Sequence, residues 1–218
     1  MKYIKPQDYA LELSKYKKNI FSQNGEDGII EFLINMLNIK SSNNWCCEFG
    51  AWDGKKFSNT YNLILNKNWK SVLIESDKKR FEDLKITRKN LSNPSNVLIY
   101  NEMIHYLPKK GKTLDNILSK TSIPKDFDIL SIDVDGPDYH IWKSLTNYQP
   151  KIVIIEHSGL SKYIIQREGA IHKKEQDGST SFLPMRELGI SKGYVLLVDT
   201  GNLIFLRKDL YMKIGGIE

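Results

Sequence analysis

The chain has 218 residues, 40% of them hydrophobic and 27% charged, with a formal net charge of +6. That length suits one domain with its own core, which needs no disulfide or metal staple, and 14 Gly with 7 Pro are too few for a fibrous or disordered chain. Residues 1–8 carry no apolar leader, and no aliphatic run approaches the ~18 residues of a membrane span.

The two cysteines, Cys46 and Cys47, are adjacent. Neighbours on an extended strand point to opposite faces, so they cannot readily bridge each other, and a reducing cytoplasmic location is expected. The Lys and Arg excess is scattered, as in Lys15, Lys17 and Lys18 or Lys78, Lys79 and Arg80, which reads as a solvated surface before it reads as a nucleic-acid footprint.

In chain order, residues 7–19 read as a helix lying on the body, with Tyr9, Leu11, Leu13 and Tyr16 among lysines. The polar turn Ser22-Gln23-Asn24-Gly25 follows. Ile29, Ile30, Leu33, Ile34 and Leu37 then mark a helix over 26–37, with Glu26 and Asp27 where a helix N-terminus favours negative charge. Strands are predicted at 45–49, 72–74, 97–100, 127–132 and 152–155, separated by helices at 58–65, 78–89, 113–119 and 138–145. The strand cores are apolar throughout, as in parallel strands covered on both faces. Residues 162–179 are polar and ambiguous, 181–191 read as a helix, and 194–198 with 202–206 form a closing hairpin about Asp199-Thr200-Gly201. No internal domain boundary is visible. The whole of 1–218 reads as one domain, with residues 1–40 as a helical extension, a candidate dimer surface, and 45–207 as the core.

The first strand ends in Cys47-Glu48-Phe49-Gly50-Ala51-Trp52-Asp53-Gly54. Open α/β sheets bind ligands beyond the carboxyl ends of their strands, and a glycine there permits close backbone approach. The spacing is not the G-x-G-x-x-G of dinucleotide folds. Carboxylates flank the turn instead, at Glu48 and Asp53, which disfavours a diphosphate and suits a cationic ligand such as S-adenosylmethionine, with its sulfonium and ammonium. Glu75, at the end of the second strand, is placed to accept hydrogen bonds from ribose hydroxyls.

The stretch Glu48–Gly54 resembles motif I of class I S-adenosylmethionine-dependent methyltransferases. With residues 22–27, Thr113-Leu114-Asp115 and Ile132-Asp133-Val134-Asp135-Gly136-Pro137-Asp138, the chain is similar more narrowly to FkbM-type methyltransferases. The resemblance implies a Rossmann-like α/β fold, a seven-stranded, mostly parallel sheet whose last strand is antiparallel, and methylation of a small molecule, sugar or glycan precursor. It also implies that Glu48, Gly50 and Asp53 line the methionine end and Glu75 the ribose, with Gly54 among the cofactor-binding residues. Gln23 and Asn24 either close over the cofactor or only cap the following helix. Glu102 either lies near the adenine or is a solvated loop carboxylate.

The ends of the fourth and fifth strands gather Asp133, Asp135, Glu156 and His157 at the same rim. Carboxylates so close need neutralising. Three readings stay open: Mg2+ or another divalent cation held by all four; Asp133 or His157 as general base, with Asp133 alternatively on the cofactor ammonium; or a purely structural role, with Asp135 and Asp138 capping the next helix. The pattern is similar to that of metal-dependent O-methyltransferases but departs from it in carrying Glu-His at the second position. His140, beside Trp142, reads as packing, His105 and His172 stand alone, and 166–172 is a candidate lid. A nucleic-acid methyltransferase lacks its D/N-P-P-Y/F loop here. A catalytically idle cofactor-binding module remains a further alternative.

Overall fold

The computed structural model describes residues 6–39, 43–159, 163–166 and 180–214. In chain order the elements are α1 (Pro6–Ser14), α2 (Glu26–Met36), β1 (Trp45–Phe49), α3 (Tyr61–Lys67), β2 (Lys70–Glu75), α4 (Lys78–Lys89), β3 (Val97–Asn101) and α5 (Leu114–Leu118). They continue as β4 (Ile129–Ile132), α6 (Asp138–Ser144), β5 (Ile152–Glu156), α7 (Phe182–Ser191), β6 (Tyr194–Asp199), β7 (Asn202–Arg207) and α8 (Lys208–Lys213).

The strands make one seven-stranded sheet in the order β3-β2-β1-β4-β5-β7-β6. Strands β1 to β5 pair in parallel, and β7 runs antiparallel to both β5 and β6. The expected hairpin is present, but its second strand is the one inserted beside β5, which puts β6 at the edge. The order reverses between β1 and β4, so a crevice opens above their carboxyl ends.

Two apolar layers cover the sheet. One packs Leu13, Ile29, Leu33, Leu63 and Leu84 against Cys46 and Leu73. The other packs Leu114, Ile117 and Leu118 of α5, with Trp142 and Met185, against Cys47, Phe49 and Phe205. Cys46 and Cys47 therefore face opposite layers, both fully buried and both free thiols. Burial raises both thiol pKa values, so neither is a nucleophile.

Local chemistry sets the boundaries. Asp77 caps α4 by accepting the Arg80 N–H at 2.8 Å, and Thr113 with Asn116 forms a capping box on α5. In the first turn of α2, Asp27 is buried and accepts the N–H groups of Ile20, Phe21 and Ser22, each at 2.8 Å. The chain 19–24 is thus a hydrogen-bonded loop, and α1 stops at Ser14 well short of residue 19. Helix α3 begins at Tyr61 because Ser58, Asn59 and Thr60 are occupied with Glu48. No helix among the described residues is long and apolar enough to cross a membrane.

Candidate active site

A cleft of about 730 Å³ opens above the carboxyl ends of β1, β2, β4 and β5, within the range of about 300–1,000 Å³ typical of small-molecule sites. Its walls are built by the turn after β1, the end of β2, the β3–α5 loop and the turn after β4.

Gly50 forms the hinge of this construction. Its φ is +74°, and a Cβ there would lie 1.6 Å from the Asp133 carbonyl oxygen. The close approach that demands glycine is therefore between the β1 and β4 turns, although Gly50 also lines the cleft. Gly54 has the same φ, but its Cβ would meet the Leu84 and Leu73 side chains, and it is not part of the cleft wall. It packs against Leu84 and Leu73 outside the cleft wall, away from the expected cofactor contact.

Glu48 is 5% exposed and accepts three bonds, from Ser58 Oγ at 2.5 Å, Asn59 N at 2.9 Å and Thr60 Oγ1 at 2.7 Å. Burial raises its pKa, against the lowering pull of those donors. It borders the cleft, but its oxygens hold the segment leading into α3. The run Ser58-Asn59-Thr60 ahead of an apolar helix is the sequence signal that would have revealed this partner set.

Asp53 departs from its expected place. Its Oδ1 accepts the N–H groups of Lys55 and Lys56 at 2.9 and 2.7 Å, and it is absent from the cleft wall. A short carboxylate that accepts from its own backbone two and three residues on forms a local turn.

Glu75 is 4% exposed and lines the cleft. Its Oε2 accepts the Trp52 N–H at 2.8 Å and its Oε1 the Asp77 N–H at 2.7 Å. Each oxygen keeps a further lone pair for a ligand hydroxyl. Gln23 also borders the cleft, whereas Asn24 lies against Gly201 in the β6–β7 turn. That loop is anchored by Glu26, which is fully buried and accepts Thr200 Oγ1 at 2.8 Å and Asn202 Nδ2 at 3.2 Å. Glu102 borders the cleft and pairs with the Lys112 ammonium.

Beyond β4 and β5, Asp133, Asp135 and Glu156 converge, with one ligand oxygen from each lying within 4.8 Å of the others. Asp135 adopts a φ of +58°. The turn is clipped by Asp138, buried to 2% exposure, whose two oxygens accept the Val134 and Gly136 N–H groups at 2.9 Å each. Burial raises the Asp138 pKa to about 6, helped by the nearby Glu156 charge.

His157 does not join this group. Its Nε2 faces Asp199 Oδ1 at 3.2 Å, its Nδ1 accepts the Gly159 N–H at 3.1 Å, and its ring packs edge-on to Phe182. With Nδ1 an acceptor, Nε2 carries the proton and donates it to Asp199, which lowers the Asp199 pKa. The expectation of His157 as base or ligand is corrected: successive side chains at a strand end alternate faces, so Glu156 and His157 diverge. His140 packs as expected, stacked on Tyr106 at 4.9 Å and donating to the Gln166 carbonyl at 2.7 Å. His105, set aside in the sequence, lines the cleft and is seated on Gly111, where a Cβ would lie 2.2 Å from its Cδ2. His172, and the suggested lid apart from Gln166, fall outside the described residues.

The Asp138 clip makes a pH prediction. Its folded pKa of about 6 exceeds the ordinary value of 3.8, so the folded state binds this proton more tightly than the unfolded one. Its contribution to stability is complete below pH ~4 and is lost as pH rises through 6, a difference of roughly 3 kcal/mol. The wild-type melting temperature should therefore rise between pH 7 and pH 5 by several degrees more than that of Asp138→Asn. Parallel pH profiles of the two proteins would show the assignment to be wrong.

The sheet order and a cleft at the β1/β4 reversal define the Rossmann-like fold of class I methyltransferases. A family model described as the methyltransferase FkbM domain matches residues 57–196. The chain belongs to that family of methyltransferases. Solved structures share the fold at low identity. A Staphylococcus aureus protein described as a caffeoyl-CoA O-methyltransferase aligns with TM-score 0.52 and 16% identity over 91% of this chain and 88% of its own. A Galdieria sulphuraria protein described as a sarcosine dimethylglycine methyltransferase aligns with TM-score 0.52 and 11% identity over 78% of this chain and 62% of its own. The DszA carbon methyltransferase aligns with TM-score 0.53 and 10% identity over 94% and 61%. The chain thus spans less than two thirds of the last two. No curated protein matches the sequence.

Proposed function

We propose that the protein transfers a methyl group from S-adenosylmethionine to an oxygen of a small molecule, sugar or glycan precursor, assisted by a divalent cation. The observation that carries this reading is one cleft joining the buried Glu75 carboxylate to the Asp133, Asp135 and Glu156 oxygens. Glu75 has lone pairs left for a ribose diol, and the turn at Gly50 borders the same space.

Methyl transfer asks the protein to align nucleophile, methyl carbon and sulfur, and to accept a proton where the nucleophile is a hydroxyl. Where the trio holds no cation, Asp133, exposed at the cleft, receives that proton. Three carboxylate oxygens are the donor type hard cations take, and oxygens around one ion with bonds of 2.0–2.6 Å lie at most about 5 Å apart, which the trio meets. When bound, such a cation lowers the pKa of a coordinated hydroxyl. Asp138 keeps Asp133 and Asp135 turned toward Glu156 by holding the backbone between them.

Calorimetry with S-adenosylhomocysteine tests the first part, and transfer of labelled methyl to hydroxylated acceptors with and without chelator tests the rest. Absence of binding would remove the cosubstrate. Transfer that persists undiminished in chelator would remove the cation.

A further inference from the structure

The acids of the cleft wall outside the trio are already engaged: Glu48 by two hydroxyls and an N–H, Glu75 by two N–H groups, Asp77 by the Arg80 N–H, and Glu102 by Lys112. The cations are not. Lys56, Arg80 and Lys110 line the same cleft, and among the described residues none of them forms an ion pair.

Two of these cations are gathered on one ring. The Arg80 guanidinium lies 4.3 Å from the Trp52 ring centroid and the Lys56 ammonium 4.8 Å from it. Lys56 is also 5.0 Å from the Phe57 ring. Trp52 and Phe57 both hold left-handed backbone, with φ of +51° and +60°, a conformation costly for bulky side chains. Trp52 is kept there by its N–H bond to Glu75. The fold thus tolerates strain to place in the cleft wall an aromatic shelf in contact with two positive charges. Cation–π contact orients the charges but leaves their hydrogen-bond donors for a ligand.

We propose that Arg80 and Lys56, on the Trp52–Phe57 shelf, form a subsite for a phosphate or diphosphate group on the acceptor molecule. An arginine fork and a lysine held on one ring supply donors of the kind phosphate oxygens take, and the exposed Phe57 offers an apolar face to the part of the acceptor next to that phosphate. The acceptor class is then a phosphorylated small molecule, with the group to be methylated reaching toward Asp133. The word acceptor rests on the methyl-transfer reading; the anion subsite does not.

The probe is inorganic pyrophosphate, titrated calorimetrically at low salt into the full chain and into the Lys56→Met/Arg80→Met double variant. S-adenosylhomocysteine and a mixed-sequence single-stranded oligonucleotide are run in parallel. The expected result is pyrophosphate affinity at least about tenfold weaker in the variant, with S-adenosylhomocysteine affinity within about threefold of wild type. The proposal is overturned if pyrophosphate binds neither protein or binds both alike. It is also overturned if S-adenosylhomocysteine weakens in step, which would give the cations to the cosubstrate, or if the oligonucleotide binds far more tightly than pyrophosphate and weakens in step, which would make the shelf a nucleic-acid contact. A pyrophosphate contrast without any S-adenosylhomocysteine binding would uphold the subsite while removing the cosubstrate.

Discussion

Glu75→Gln is expected to raise the dissociation constant for S-adenosylhomocysteine about 100-fold, a loss of roughly 2.7 kcal/mol. The carboxylate is buried at the end of β2 and has two roles at once. It accepts the backbone N–H groups of Trp52 and Asp77, and in the proposed complex it accepts the ribose hydroxyls. Hydrogen bonds to a charged acceptor contribute about 1.5–3 kcal/mol each. An amide replaces one acceptor oxygen with an NH2 group. That group must face either a backbone donor, which releases the Trp52 turn, or the ribose, which loses an acceptor. Calorimetry on the variant decides the matter: affinity within about threefold of wild type would mean that Glu75 does not hold the ribose.

Gly50→Ala is expected to destabilise the fold by roughly 3 kcal/mol or more and to abolish methyl transfer. Left-handed backbone costs an L-residue about 1–2 kcal/mol. Here the added Cβ also falls 1.6 Å from the Asp133 carbonyl oxygen. That oxygen belongs to the backbone, and the neighbouring Asp133 N–H is bonded to the Phe49 carbonyl at 3.2 Å. Relief therefore requires the β1 and β4 turns to separate, carrying Asp133 and the turn that bears it away from the β1 side of the cleft. Gly54→Ala is the control. It shares the backbone penalty, but its Cβ would press on the ends of the Leu84 and Leu73 side chains, which can move. Chemical denaturation should place Gly50→Ala well below Gly54→Ala; equal midpoints for the two variants would refute the close-approach argument.

Much of the fold was legible because its signals are local. Five apolar runs alternating with helical stretches identified the parallel strands, and the bounds of β1 and α4 match their expected spans. The adjacent cysteines read as residues on opposite faces, and they lie in separate layers. Helix α8 went unseen, because Lys208–Lys213 is a short, charged segment with little periodicity. The hairpin was evident, but not which of its strands pairs with β5. That choice depends on the crossover through α7 rather than on either strand's composition.

At the site, the order of residues along the chain settles which chemical groups stand at the ends of the strands. Glu75, Asp133, Asp135 and Glu156 follow from strand position alone, since a parallel sheet brings those ends to one rim. Where each side chain points, and what already occupies it, emerges only in the folded molecule. His157 turns away to Asp199, Asp53 Oδ1 accepts from its own turn, Glu48 holds Ser58 and Thr60, and Gly50 makes room for a carbonyl 83 residues away in the chain. For His157 and Gly50 the deciding partners, Asp199 and the Asp133 carbonyl, are distant in sequence, which no local spacing encodes.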